Sequence, residues 1–143
     1  MASTCIFYPH RIKMKENKRK RKKIKDYGRG AEGMETTKEI RKNMKGGNGE
    51  VVLEHVLKDE ALGSKCRLYA KVTLAPGCSI GYHTHAGEAE CFYFLSGEGL
   101  FDDNGTKRNV KPGDVTLTGN GRGHGIENAG SKDLVFMALI LLD

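Results

Sequence analysis

The chain has no tryptophan. It also has no apolar run near the ~20 residues that a membrane helix needs. The longest run, Leu134 to Leu142, has nine residues, which suits a strand and excludes a membrane-spanning helix. Cys5, Cys66, Cys78 and Cys91 are the four cysteines, and none stands in Cys-x-x-Cys spacing. They read as free thiols in a reducing cytosol, with Cys78 and Cys91 as small packing residues. No signal peptide is visible: Cys5-Ile6-Phe7-Tyr8 is too short for an apolar core and a proline follows it. A cytoplasmic protein is therefore expected. No Ser/His/Asp or Cys/His pairing stands out, and no helix-turn-helix pattern is present.

Charge is unevenly spread. The net charge of +6 comes from the first 33 residues, which hold eleven Lys/Arg and three Asp/Glu; residues 34–143 hold thirteen and fifteen. The segment Arg11 to Lys25 alone carries ten basic residues and one acid. Such a stretch buries too little apolar surface to offset its chain entropy, so residues 1–33 are expected to form a disordered basic tail. A basic cluster can bind nucleic acid, but no aromatic residues interleave with this one to stack on bases, and a solvated tail is the expectation. Arg29-Gly30-Ala31-Glu32-Gly33 stands just before Met34 and can be encoded by codons resembling a ribosome-binding site, so Met34 or Met14 is an alternative start. The chemistry belongs to a single domain spanning 34–143.

That domain reads as all-β. Nineteen glycines suit short strands and many turns. Glu35 to Lys45 reads as a short helix or an extended arm, and Val51 to Leu57 as the first strand. Within it His55 reads as a surface or satisfied core histidine. Cys66 to Leu74 alternates, with Cys66, Leu68, Ala70, Val72 and Leu74 on one face and Arg67, Tyr69, Lys71 and Thr73 on the other. Asp103-Asn104-Gly105-Thr106 is a hairpin turn signal. Leu134 to Leu142 suits a strand buried on both faces, one filling the interior and the other covered by a second subunit; a homodimer is expected.

The chemistry concentrates between Gly77 and Asn128. His83 and His85 are two residues apart, which on a strand puts both imidazoles on one face. After four intervening residues Glu90 opens the run Cys91-Phe92-Tyr93-Phe94-Leu95, and a hairpin is expected to bring it back beside them. Two imidazoles and a carboxylate converging on one point suit a divalent metal. His124 is a third candidate imidazole. Glu88 is a competing carboxylate, either a ligand in place of Glu90, a partner behind the ligands, or a solvated loop residue. Gly119-x-Gly121-x-Gly123 lacks the strand–loop–helix setting of a phosphate loop and reads instead as glycines that let the backbone turn at the mouth beside His124.

At this point the sequence resembles the cupin family. Gly77, His83-x-His85, Glu90 and Gly97 match the family's first motif in order and spacing; Gly113, Gly121, His124 and Asn128 match the second. The resemblance covers 48–142. Gly119 departs from it, standing where the family usually has proline and loosening the turn before His124. The resemblance implies an all-β fold, a small double-stranded β-helix (jelly-roll) barrel, with a divalent metal (Mn, Fe, Ni, Zn or Co) held by His83, His85, Glu90 and His124. Open positions on that metal imply a small oxygenated ligand, a sugar or carboxylic acid. Isomerase, decarboxylase and dioxygenase chemistry occur on this fold, as does non-catalytic binding or sensing, so no catalytic residue is assigned. By alternation Phe92 and Phe94 share Glu90's side and give an apolar pocket floor, Ile126 lines the wall beside His124, and Tyr82 and Glu127 point away. Arg122 is a candidate for meeting an anionic ligand at the mouth.

Overall fold

The computed structural model describes residues 35–143; the expected tail at 1–33 lies outside them. Ten strands run in the order β1 (Thr37–Lys42), β2 (Glu50–Leu57), β3 (Cys66–Leu74), β4 (Ser79–Thr84), β5 (Glu88–Ser96), β6 (Gly99–Asp103), β7 (Thr106–Val110), β8 (Val115–Thr118), β9 (Gly123–Glu127) and β10 (Leu134–Leu142). Short 3-10 turns occur at Met44–Gly46 and Asp59–Leu62. The strands form two antiparallel sheets. One has six strands in the order β1-β2-β3-β10-β5-β8; the other has four in the order β4-β9-β6-β7. This is the jelly-roll expected from the sequence. Among the described residues no helix is long and apolar enough to cross a membrane.

Alternation fixes what each strand buries. In β3, Ala70, Val72 and Leu74 are buried; in β10, Leu134, Phe136, Ala138 and Ile140 are. These inward rows close on an aromatic centre. Phe92 packs on Phe136 with ring centroids 4.5 Å apart, on Phe94 at 6.3 Å and on Phe101 at 6.1 Å. Rings tilted or edge-on at such distances add to the hydrophobic gain of burial.

The far end is tied by Asn128. Its buried side-chain amide donates to the carbonyls of Leu74 (2.7 Å) and Lys132 (2.8 Å), and its Oδ1 accepts from the Gly130 N–H (3.0 Å). In the β6–β7 hairpin, Asn104 (φ 52°) and Gly105 (φ 92°) take the positive φ that the turn signal predicts.

The structure corrects the strand order and the role of Gly123. Residues 37–42 form a strand, so Val51–Leu57 lies in the second strand rather than the first. β1 carries little apolar periodicity and pairs with β2 along its length, from Thr37 opposite His55 to Lys42 opposite Glu50. Within the chain β10 buries one face; on the other, for which a second subunit is the expected cover, Val135, Met137 and Leu139 are half-buried and Leu141 is 45% exposed. Gly123 lies inside β9 rather than in a turn, because the Tyr82 ring occupies the space a Cβ would need. The turn itself is Gly121, at φ +78°.

Phe92 is the natural probe of this core, being 2% exposed and packed on three other phenylalanines and on His124. Phe92→Ala is expected to lower unfolding stability by about 3–5 kcal/mol, read from chemical denaturation; a loss below about 1 kcal/mol would mean the barrel repacks around the void.

Candidate metal centre

One end of the barrel collects the polar residues that the core excludes. His83 lies near the end of β4, His85 just beyond it, and His124 in β9, directly opposite His83 in the pairing of the two strands. Glu90 comes from β5 in the other sheet, so the expected hairpin does not form and Glu90 meets the histidines across the two sheets. The site therefore bridges the two sheets.

A register shift makes this arrangement work. Between the pairs Ile80–Ile126 and His83–His124, β4 uses one residue more than β9. Strict alternation from inward-facing Ile80 would point Tyr82 in and His83 out; the extra residue reverses the parity. Tyr82 lies outside, 49% exposed, and His83 faces the interior. Gly81 sits at the bulge, where a Cβ would collide with the Lys45 carbonyl, and its own carbonyl accepts a hydrogen bond from His83 Nδ1 (2.9 Å).

All four residues come together. One ligand atom from each of His83, His85, Glu90 and His124 lies within 4.8 Å of every other. The three imidazole centroids form a near-equilateral triangle with sides of 4.8, 4.9 and 5.0 Å. Glu90 Oε2 lies 2.8 Å from His124 Nε2, 3.1 Å from His85 Nε2 and 3.8 Å from His83 Nε2.

The atoms behind the rings decide what this cluster can hold. His83 Nδ1 donates to a carbonyl, and His85 Nδ1 donates to Glu88 Oε1 at 2.8 Å. Neither partner can donate in return, so in the neutral rings both Nε2 atoms present lone pairs to the centre. His124 Nδ1 faces the Thr118 hydroxyl at 2.9 Å, which can take either role. Thr118 donates to Nδ1 and Nε2–H donates to Glu90; the opposite tautomer, with Nδ1–H donating to Thr118, would present a third lone pair to a cation. Three nitrogen lone pairs and a carboxylate oxygen around one point fit a divalent cation.

Burial pushes the Glu90 carboxyl up, but the hydrogen bond from His124 and the neighbouring imidazoles outweigh it and bring it down to about 2. Burial holds His124 below the usual imidazole range, against the pull of Glu90. Phe92 stacks on the His124 ring with centroids 4.9 Å apart, and Phe101 meets it edge-on at 5.6 Å.

Glu88 stands behind His85, outside the cluster of four. Arg67 grips it with two hydrogen bonds, Nε to Oε2 (2.7 Å) and Nη2 to Oε1 (2.5 Å). This pairing with Arg67, more than the contact with His85, holds the Glu88 carboxyl below its ordinary range. The sequence gives no warning of Arg67, which alternation assigns to the outer face. A second register shift, between Leu68 opposite Ile140 and Cys66 opposite Leu141, skips Arg67 and turns it to the cavity.

His83, His85 and Glu90 line a cavity of about 500 Å³, with His124 behind them. Its walls are more polar than the expected apolar floor: Phe92 and Phe94 are packed beneath the cluster, and Glu39, Arg41, His55, Arg67 and Glu88 reach the cavity beside Leu53, Leu68 and Ile140. Arg122 does not line it; its guanidinium lies 3.6 Å from Asp103. The loop carrying Gly119 is pinned to the ligand strand, with the His85 N–H donating to the Arg122 carbonyl (2.9 Å) and the Gly121 N–H to that of His85 (2.7 Å).

Comparison with known proteins places this geometry. Residues 70–140 match the cupin domain family. The oxalate-binding protein of Thermotoga maritima is 50% identical over 108 residues, covering 76% of this chain and 89% of that one. The crystal structure of a predicted oxalate decarboxylase from Thermotoga maritima superposes with a TM-score of 0.73 at 50% identity, covering 76% of this chain and 95% of that one. The cupin domain of an XRE-family transcriptional regulator from Enterobacter cloacae gives a TM-score of 0.54 at 27% identity, over 63% of this chain and 94% of that one.

The Glu90 carboxyl sets an acid limit on the metal-free fold. Unfolded, it takes up a proton near 4.5; folded, only near 2. Its contribution is complete above pH 4.5 and is lost as pH falls toward 2. Denaturation midpoints measured across that range are expected to fall, and Glu90→Gln to flatten the fall; an unchanged slope in the variant would remove Glu90 as its source.

Proposed function

The chain belongs to the cupin family, and on that premise we propose that it holds one divalent metal through His83, His85, Glu90 and His124 and binds a small carboxylic acid in the adjoining cavity. The observation that carries this reading is the fixed orientation of the imidazoles: the Gly81 carbonyl and Glu88 turn the Nε2 lone pairs of His83 and His85 onto the Glu90 carboxylate. Nitrogen and oxygen donors of this kind suit Mn, Fe, Co, Ni or Zn. A metal bound there supplies a Lewis acid able to polarise and chelate ligand oxygens.

The chain's own residues do the rest. Glu88, clamped by Arg67, keeps the His85 ring in one tautomer. Phe92 and Phe101 fix the His124 ring from two sides. His83, His85 and Glu90 present the cluster to the cavity. Oxalate is the first ligand to test, because a relative with half its residues identical is named as an oxalate-binding protein. Turnover of such an acid, as a decarboxylase, isomerase or dioxygenase, is the second reading; the neighbour named a predicted oxalate decarboxylase favours its first form.

A second copy of the chain is the natural cover for the outer face of the larger sheet. Tyr93 (46% exposed) stands opposite Val115 (58%), and Leu117 (65%) and Leu141 (45%) extend the same apolar surface. The free thiols Cys66, Cys78 and Cys91 fit a reducing cytosol.

Protein purified without added metal is expected to carry about one equivalent by elemental analysis, and His83→Ala to lose it. Oxalate should bind the loaded protein and not the stripped one, and analysing the same mixture for carbon dioxide or formate separates binding from turnover. Stripped protein that binds oxalate as tightly would sink the metal-dependent reading. Arg67→Ala or Glu88→Gln should weaken metal binding roughly 10–100-fold while the barrel stays folded. Sedimentation should show a dimer that Leu117→Asp dissociates; a wild-type monomer would refute the second copy.

A further inference from the structure

A second polar cluster lines the same cavity, and the metal reading makes no use of it. His55 stands on the inward face of β2, beyond buried Val51 and Leu53, and is only 7% exposed. Its Nε2 lies 3.0 Å from Glu39 Oε2 on the neighbouring strand. Arg41 grips the same carboxylate, with Nε 2.8 Å from Oε1 and Nη2 3.2 Å from Oε2. His55, Glu39 and Arg41 all line the cavity that His83, His85 and Glu90 open onto.

Arg41 first, and His55 after it, bring the Glu39 carboxyl down to about 2. Glu39 is therefore a pure acceptor at neutral pH. In the neutral imidazole the proton then sits on Nε2 and is donated to Glu39, leaving the lone pair on Nδ1. A group arranged this way accepts hydrogen bonds from hydroxyls and offers nothing to a carboxylate. The nearby arginines are each paired with a carboxylate through Nε and Nη2, Arg41 with Glu39 and Arg67 with Glu88, which balances their charge and leaves a ligand only their remaining N–H groups. The other charged groups lining the cavity, Lys45, Lys58 and Asp59, are exposed at its rim. A volume of about 500 Å³ also exceeds what a two-carbon acid fills.

We propose that the His55–Glu39 pair is a second anchor of the cavity, accepting a hydrogen bond from a ligand hydroxyl, so that the preferred ligand is a hydroxy acid or sugar acid with its carboxylate at the metal cluster and a hydroxyl at His55. This rests on the metal reading for the carboxylate end only. The anchor narrows the ligand class from carboxylic acids in general to those carrying a hydroxyl away from the acid group.

The test is calorimetry at pH 8 on the full, manganese-loaded chain with two probes: gluconate, a polyhydroxy acid, and adipate, a dicarboxylate of the same carbon count without hydroxyls. Gluconate should bind roughly tenfold more tightly, the scale of one net hydrogen bond. His55→Leu should bring gluconate to the adipate level with metal content unchanged. Should that variant fail to fold, Glu39→Gln carries the test: it keeps the imidazole, releases its tautomer and should reduce the preference. Equal binding of the probes by the wild type, or a preference surviving both variants, overturns the anchor. If the wild type takes up no metal, the preceding reading fails; a gluconate preference of that metal-free protein, lost in Glu39→Gln, still supports the pair.

Discussion

Everything at the polar end of this barrel depends on one buried carboxylate. Glu90 lies inside a β-sandwich, where an isolated charge is costly, and it is tolerated because imidazoles from the opposite sheet surround it. That arrangement sets the remaining structure around it. The rings must present Nε2, so each Nδ1 needs a partner, and the Gly81 carbonyl, Glu88 and Thr118 are those partners. Glu88 in turn needs a counter-charge, which Arg67 supplies from a third strand. The hydrogen-bond chain therefore runs from β3 through β5 to the end of β4, while Glu90 and Thr118 tie β5 and β8 to β9. The polar cluster joins the two sheets at one end as the aromatic core does in the middle.

The two halves of the interior support each other. His124 is fully buried, with Phe92 against its face and Phe101 at its edge. Its orientation is thus set by apolar packing on one side and by Thr118 on the other. A ring held on both sides has few ways to relax, which is what a preorganised ligand set requires.

Much of this was legible in the sequence. The spacing of His83 and His85 points to a shared site because strand alternation is a local rule, whereas Glu90 and His124 join them through the motif resemblance, since β5 lies in the other sheet and closes no hairpin with β4. The strands from Cys66 onward follow their hydrophobic alternation for the same reason. What escaped reading lies where local rules are broken. Thr37–Lys42 is a strand without an apolar face, held by pairing and by the Glu39, Arg41 and His55 contacts, so periodicity could not reveal it. Arg67 is turned inward by a register shift that depends on β10, more than seventy positions away in the chain. His55 looked like an ordinary histidine among apolar neighbours, because its cavity exists only once β1 is in place. Gly123 answers to the Tyr82 ring across the sheet rather than to a turn.

The bulge between Ile80 and His83 has a consequence for how such a chain can vary. Because one added residue sets which side of β4 faces inward, the number of positions in that segment carries as much information as their identity. Were the bulge straightened with the length unchanged, strict alternation would turn His83 to the outside and bring Tyr82 in; deleting the extra residue as well would restore the side but take away the Gly81 carbonyl that holds His83 Nδ1. For this strand, length and bulge are a single feature, and changing one without the other reverses the side that His83 faces.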